Sequence, residues 1–176
     1  MPSDGLPAGT RQQLIRFSAS DGFLVNALLL TSDGEANSTR DRPMLLQVHG
    51  SLGHFLARGT PRLLPAALAE RGIDSLSINT RLASAGQITG EGIFPDTSKD
   101  IEAAVRFLTE AGFERIFVLG YSLGASMVVY WAAGATHSAV RGLVLEGCPY
   151  SIAAAKLERW RRGCSRAQRC AQSLLR

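Results

Sequence analysis

A chain of 176 residues makes one domain at roughly 150 residues per domain and falls short of the about 250 that a complete eight-stranded β/α barrel takes. With 45% apolar residues, 19% charged residues and 18 glycines it has a globular composition, which excludes a disordered or fibrous chain. The net charge of +4 is local: residues 156–176 hold seven basic side chains against the single acid Glu158, a net of +6, and the twelve basic and fourteen acidic groups elsewhere leave −2, so no nucleic-acid partner is expected of the domain.

In chain order, Leu14–Phe17 and Phe23–Leu30 read as two strands joined at Asp21-Gly22, a hairpin signal. The polar stretch Thr31–Arg42 reads as a surface loop, and its glycosylation-type triplet Asn37-Ser38-Thr39 carries no weight without secretion. From Met44 onward, short apolar runs alternate with helical patterns. The runs Met44–Val48, Ile73–Ile78, Arg115–Leu119 and Val140–Leu145 lack polar alternation, as strands buried on both faces do. Between them, Thr60–Arg71, Thr97–Ala111 and Leu123–Ala133 read as helices. The order predicts an α/β fold: a mostly parallel sheet with an N-terminal antiparallel hairpin and helices on both faces. Thr60-Pro61 is expected to cap the first helix, and Thr97 with Asp100 to form a capping box on the second. Tyr130 and Trp131 fall at helical spacing from Met127 and are expected in the core.

Cys148, Cys164 and Cys170 are an odd set without a Cys-x-x-Cys pair, which supports neither a zinc site nor a disulfide framework. No stretch reaches the about 18 apolar residues of a membrane span, and Met1–Thr10 lacks the basic start and apolar run of a signal peptide. A cytoplasmic protein without a membrane partner is the expectation.

Two loops can carry chemistry. Gly120-Tyr121-Ser122-Leu123-Gly124 follows a strand and opens an apolar helix. In that setting the glycines permit a sharp turn, the serine projects at the carboxyl end of the sheet, and the Leu123 N–H points to where an oxyanion would form. An ordinary glycine-rich turn with an inert serine remains the alternative. Upstream, Met44–Val48 runs into His49-Gly50-Ser51-Leu52-Gly53-His54, a loop able to supply a second oxyanion N–H from Ser51 or Leu52. It lacks the lysine of a P-loop and the GxGxxG spacing of a dinucleotide site.

These two loops, about 70 residues apart, and the strand Gly142–Glu146 resemble the front half of an alpha/beta-hydrolase, over about residues 12–160. The resemblance implies a serine esterase-like hydrolase acting on esters or related acyl bonds, without metal or organic cofactor. It assigns Ser122 as nucleophile, the N–H groups of Leu123 and Ser51 to the oxyanion, and His54, Leu52 and Tyr121 to substrate contact. The stretch Asn79-Thr80-Arg81-Leu82-Ala83 departs from the Arg-Gly-x-Gly common in that family.

The chain order of that fold is serine, acid, histidine. After Ser122 the only histidine is His137, roughly 20 Å away along a helix at about 1.5 Å per residue. His49 is read as holding its loop and His54 as a substrate contact. Glu146 alone is placed to serve as triad acid, with a charge pairing to a nearby arginine as the favoured alternative. The expected organisation is therefore a partial hydrolase core over 1–155, with its C-terminal strands missing, and a basic tail over 156–176, read as the opening of a cap segment or a non-native end. A truncated sheet would expose an edge, so self-association is expected alongside a small acyl substrate. A non-catalytic binding or assembly protein of the same fold is the alternative function.

Overall fold

The computed structural model describes residues 8–32, 41–83, 93–135 and 137–148. The loop triplet at 37–39, Cys164, Cys170 and the tail over 156–176 lie outside them. Six described strands form one sheet: β1 (Thr10–Ser18), β2 (Leu24–Ser32), β3 (Met44–Val48), β4 (Asp74–Asn79), β5 (Ile116–Tyr121) and β6 (Val140–Glu146). Three described α-helices connect them: α1 (Thr60–Ala69), α2 (Thr97–Glu110) and α3 (Leu123–Ala132). The spatial order is β1-β2-β4-β3-β5-β6. β1 and β2 are antiparallel, as the hairpin signal predicts, and β2 also meets β4 antiparallel. β4, β3, β5 and β6 are parallel.

The two faces differ in composition. Met44, Leu46 and Val48 of β3, Leu76 and Ile78 of β4, and Ile116 and Val118 of β5 point into one large core. Ile101, Val105 and Leu108 of α2 and Met127, Val128 and Trp131 of α3 close that core. At about 0.8 kcal/mol per buried methylene, this face supplies the main driving force for folding. The opposite face, under α1, has a smaller cluster of Leu28, Leu30, Phe55 and Ala69. Helix α1 buries small or compact residues, Pro61, Pro65 and Ala69, and Pro65 does not interrupt it.

Two helix starts differ from the sequence expectation. Gly59, at φ 89°, is the N-cap of α1, and the Thr60 hydroxyl reaches Glu146 instead. The Thr97–Asp100 capping box does not form. A 3₁₀ turn at Phe94–Asp96 runs straight into α2, so the Thr97 N–H already has the carbonyls of Phe94 and Pro95 as acceptors. The Thr97 hydroxyl donates to the Phe94 carbonyl, and the Asp100 carboxylate turns to Arg81. Trp131 is buried as expected, but Tyr130 is half exposed, edge-on to Phe94 with ring centroids 5.7 Å apart. Tyr130 falls outside the stripe of α3 that Met127, Val128 and Trp131 bury.

Candidate active site

The carboxyl ends of β3, β5 and β6 meet at Ser122. Among the described residues only Ser122 and Leu52 are non-glycine residues with positive φ, 54° and 53°. Ser122 sits at the abrupt change from β5 to α3, and its carbonyl accepts from the Ala125 N–H at 3.0 Å. Its own N–H donates to the Glu146 carbonyl at 2.7 Å, which ties the turn to the end of β6.

The flanking glycines are required sterically. A Cβ on Gly120 would lie 2.5 Å from both the Ala125 Cα and the Gly124 carbonyl oxygen. One on Gly124 would lie 2.5 Å from the Val48 carbonyl oxygen, in the central strand. These close approaches pull the start of α3 onto β3 and leave Ser122 at the apex. A Cβ on Gly50 would come within 3.0 Å of the Ser122 Cβ and 3.1 Å of the Tyr121 ring, so the loop after β3 lies directly against the serine turn.

His49 fastens that loop from below. It is buried, and its Nδ1 lies 2.8 Å from the Gly50 carbonyl while its Nε2 accepts from the Thr80 N–H at 3.2 Å. An amide can only donate, so the ring is the neutral tautomer with its proton on Nδ1. Burial holds its pKa below the ordinary histidine value, against the opposing pull of the Gly50 carbonyl. The next residues form a turn in which the Gly53 N–H donates to the Gly50 carbonyl at 3.1 Å, with Ser51 and Leu52 exposed at its tip. His54 Nδ1 accepts from the Leu56 N–H at 3.1 Å, and the Phe55 N–H donates to Asn79 Oδ1 at 2.8 Å. The loop is thus tied to the end of β4 through both Thr80 and Asn79.

Glu146 is at the site, but its carboxylate accepts from the Thr60 hydroxyl at 3.0 Å. Among the described residues no arginine pairs with it, and the arginines of 156–176 lie outside them. His137 is remote, as the helix length predicts. It follows the far end of α3, with its Nε2 2.9 Å from Glu102 Oε2 and its ring stacked on Trp131.

The sequence reading missed a second charged assembly. Arg81, just past β4, donates to Asp100 and to Asp21, each at 2.8 Å, and its guanidinium lies 4.8 Å from the centre of the Phe23 ring. Lys99 joins Asp21 at 3.2 Å and Asp96 at 2.8 Å. The Arg81 hydrogen bonds hold Asp21 well below the usual carboxylate range. Burial pushes Asp100 upward, with Arg81 opposing. Positions 21, 81 and 100 share no local periodicity, so no pattern in the sequence could have joined them.

No family model matches the chain, and no curated protein matches it. Solved structures do match in shape. An esterase from Pyrococcus furiosus superimposes with a TM-score of 0.64 at 16% identity, over 81% of this chain and 51% of its own. A hypothetical protein from Pseudomonas aeruginosa gives 0.62 at 21% identity, over 82% and 45%. Prolyl oligopeptidase B from Galerina marginata gives 0.64 at 15% identity, over 81% and 21%. The chain spans about half the length of the esterase it resembles. Among the described residues no helix is long and apolar enough to cross a membrane. With a mixed sheet, a glycine-flanked serine turn between β5 and α3 and these neighbours, the chain has the alpha/beta-hydrolase fold.

Proposed function

We propose that this chain carries the nucleophile and the oxyanion donors of a serine hydrolase for carboxylic ester or related acyl bonds. The observation that carries the proposal is Ser122 itself, a non-glycine residue held at φ 54° between two glycines that steric contact requires. Such strain costs of order 1–3 kcal/mol and persists where surrounding structure enforces it, which is typical of reactive sites. In the proposed reaction Ser122 Oγ attacks the acyl carbon and the carbonyl oxygen becomes an oxyanion. The N–H groups of Leu123, in the first turn of α3, and Ser51 receive that charge. The alcohol then leaves carrying the proton that Ser122 Oγ gave up, and water attacks the acyl-serine, releasing the acid and returning a proton to Ser122 Oγ. His54, Leu52 and Tyr121 border the substrate.

The proton acceptor limits the rate. His49 has both ring nitrogens engaged and is buried, and His137 is bound to Glu102. His54 accepts at Nδ1, so its neutral ring carries the proton on Nε2 and presents a donor there. With no histidine poised as base, the expected acceleration is the about 10³–10⁴-fold that oxyanion stabilisation and binding retain alone. The same observation favours the second reading, a non-catalytic binding protein of this fold. A fluorophosphonate probe separates the two. Labelling of the folded chain that disappears in Ser122→Ala supports the hydrolase, whereas a folded chain that never labels leaves only the binding protein.

A further inference from the structure

We infer that the open cleft between α2 and the end of α3 is a second binding site, one that takes a small organic ammonium ion bearing an aromatic or other apolar group. The cleft has a volume of about 500 Å³, and Lys99 and Glu102 of α2 line it together with Tyr130, Trp131, Ala133 and Gly134. It is separate from the serine turn, and the inference does not depend on the reading of Ser122. Tyr130 follows Ser122 by eight residues of α3, roughly 12 Å at about 1.5 Å per residue.

The feature that selects the ligand is a carboxylate fixed in place with one oxygen unused. Glu102 Oε2 accepts from the Trp131 indole N–H and from His137 Nε2, each at 2.9 Å. Those two donors remove the rotamer freedom that an exposed glutamate ordinarily keeps. Among the described residues, Oε1 has no hydrogen-bond partner and no lysine or arginine pairs with the group. Lys99, one turn earlier on α2, would be the usual partner at that spacing. It is drawn elsewhere, with its Nζ 2.8 Å from Asp96 and 3.2 Å from Asp21. Two opposite charges on one helix thus line the same cleft without meeting. An anionic ligand would have to take Lys99 from two carboxylates, whereas an ammonium group needs only the free oxygen of Glu102.

The apolar part of the ligand has its own surface. Tyr130 is half exposed and braced edge-on by Phe94, so its ring offers both apolar area and a face that attracts cations. Gly134 adds no side chain, and the nearest atom to a Cβ placed there is 3.9 Å away, which leaves room beside that ring.

The probe is 2-phenylethylamine, with phenylacetate and 2-phenylethanol as its anionic and neutral counterparts, titrated into the full chain at pH 8. The Trp131 indole N–H, assigned by Trp131→Phe, reports binding in proton–nitrogen spectra. The amine should shift it saturably with a Kd of about 1 mM, and phenylacetate should not. Glu102→Gln, which can still accept from the indole, should weaken binding about tenfold, and Tyr130→Ala about threefold. Ala133→Arg, at an exposed position, should abolish it by placing a cation in the cleft, and it carries the test if Glu102→Gln does not fold. Ser122→Ala should bind as the parent does. No shift at about 20 mM amine, equal binding of 2-phenylethanol, or binding unchanged in folded Glu102→Gln or Ala133→Arg would each overturn the inference.

Discussion

At Gly124 and Gly120 the fold and the chemistry make the same demand. An added methyl on Gly124 would press on carbonyl oxygens of β3, a strand buried along its whole length that cannot recede. Gly124→Ala should therefore destabilise by about 3 kcal/mol, as overpacking does. Gly134→Ala, where the nearest atom is 3.9 Å away, should change little. Thermal melts followed by circular dichroism check the contrast, and equal melting temperatures would contradict the steric account. His49 gives a pH prediction. Its folded pKa is depressed by burial, so below the ordinary value of about 6.5 the unfolded chain takes up a proton that the fold refuses. Stability from this residue is complete above that pH and falls as pH drops through it. The loss of melting temperature between pH 8 and pH 5 should be smaller in His49→Gln, and superimposable profiles would disprove it. The serine turn was legible in sequence because its glycines and its strand–turn–helix setting are local. The positive φ of Leu52 was not, because leucine gives no signal for a conformation imposed by its neighbours.

The elements themselves follow from apolar runs and periodicity, and their observed bounds differ from the expected ones by a few residues. What the sequence could not convey is how distant elements are fastened. Arg81 joins the β1–β2 turn through Asp21, the end of β4 through its own backbone, and the first turn of α2 through Asp100. Asp100 is fully buried and Arg81 is 10% exposed, so removing the guanidinium leaves a buried carboxylate without its counter-charge. Arg81→Ala should cost about 3 kcal/mol or more in urea unfolding. The pair Arg81→Met with Asp100→Leu should recover most of it, since apolar residues can replace a buried ion pair. Lys99→Ala, which removes a solvent-exposed partner, should cost much less than Arg81→Ala. If Lys99→Ala proves as costly as Arg81→Ala, burial is not what makes this network matter.

Over the whole molecule the sheet has two unlike edges. β1 is polar along most of its length, with the run Arg11-Gln12-Gln13. β6 is apolar, and Leu143, Val144 and Leu145 are 41%, 45% and 44% exposed in succession. Consecutive strand residues point to opposite faces, so this exposure lies on both sides of the sheet at once. β6 pairs with β5 along one side, and no described strand pairs with the other. A strand with one side unpaired among the described residues, apolar faces and no charge between Gly142 and Glu146 lacks the features that normally prevent edge-to-edge pairing. The apolar run at 140–145 was legible as a strand, but not as an edge, because a buried parallel strand has the same composition. A second copy satisfies both the open backbone and the apolar faces. The 18.8 kDa chain should therefore elute from size exclusion as a dimer or larger, with light scattering giving the mass. Val144→Lys places a charge on the exposed strand and should return it to monomer without lowering the melting temperature, because the residue is half in solvent. A parent chain that runs as a monomer at about 100 µM, some tenfold above the Kd of a micromolar-range pairing, would show that β6 does not act as an edge in solution.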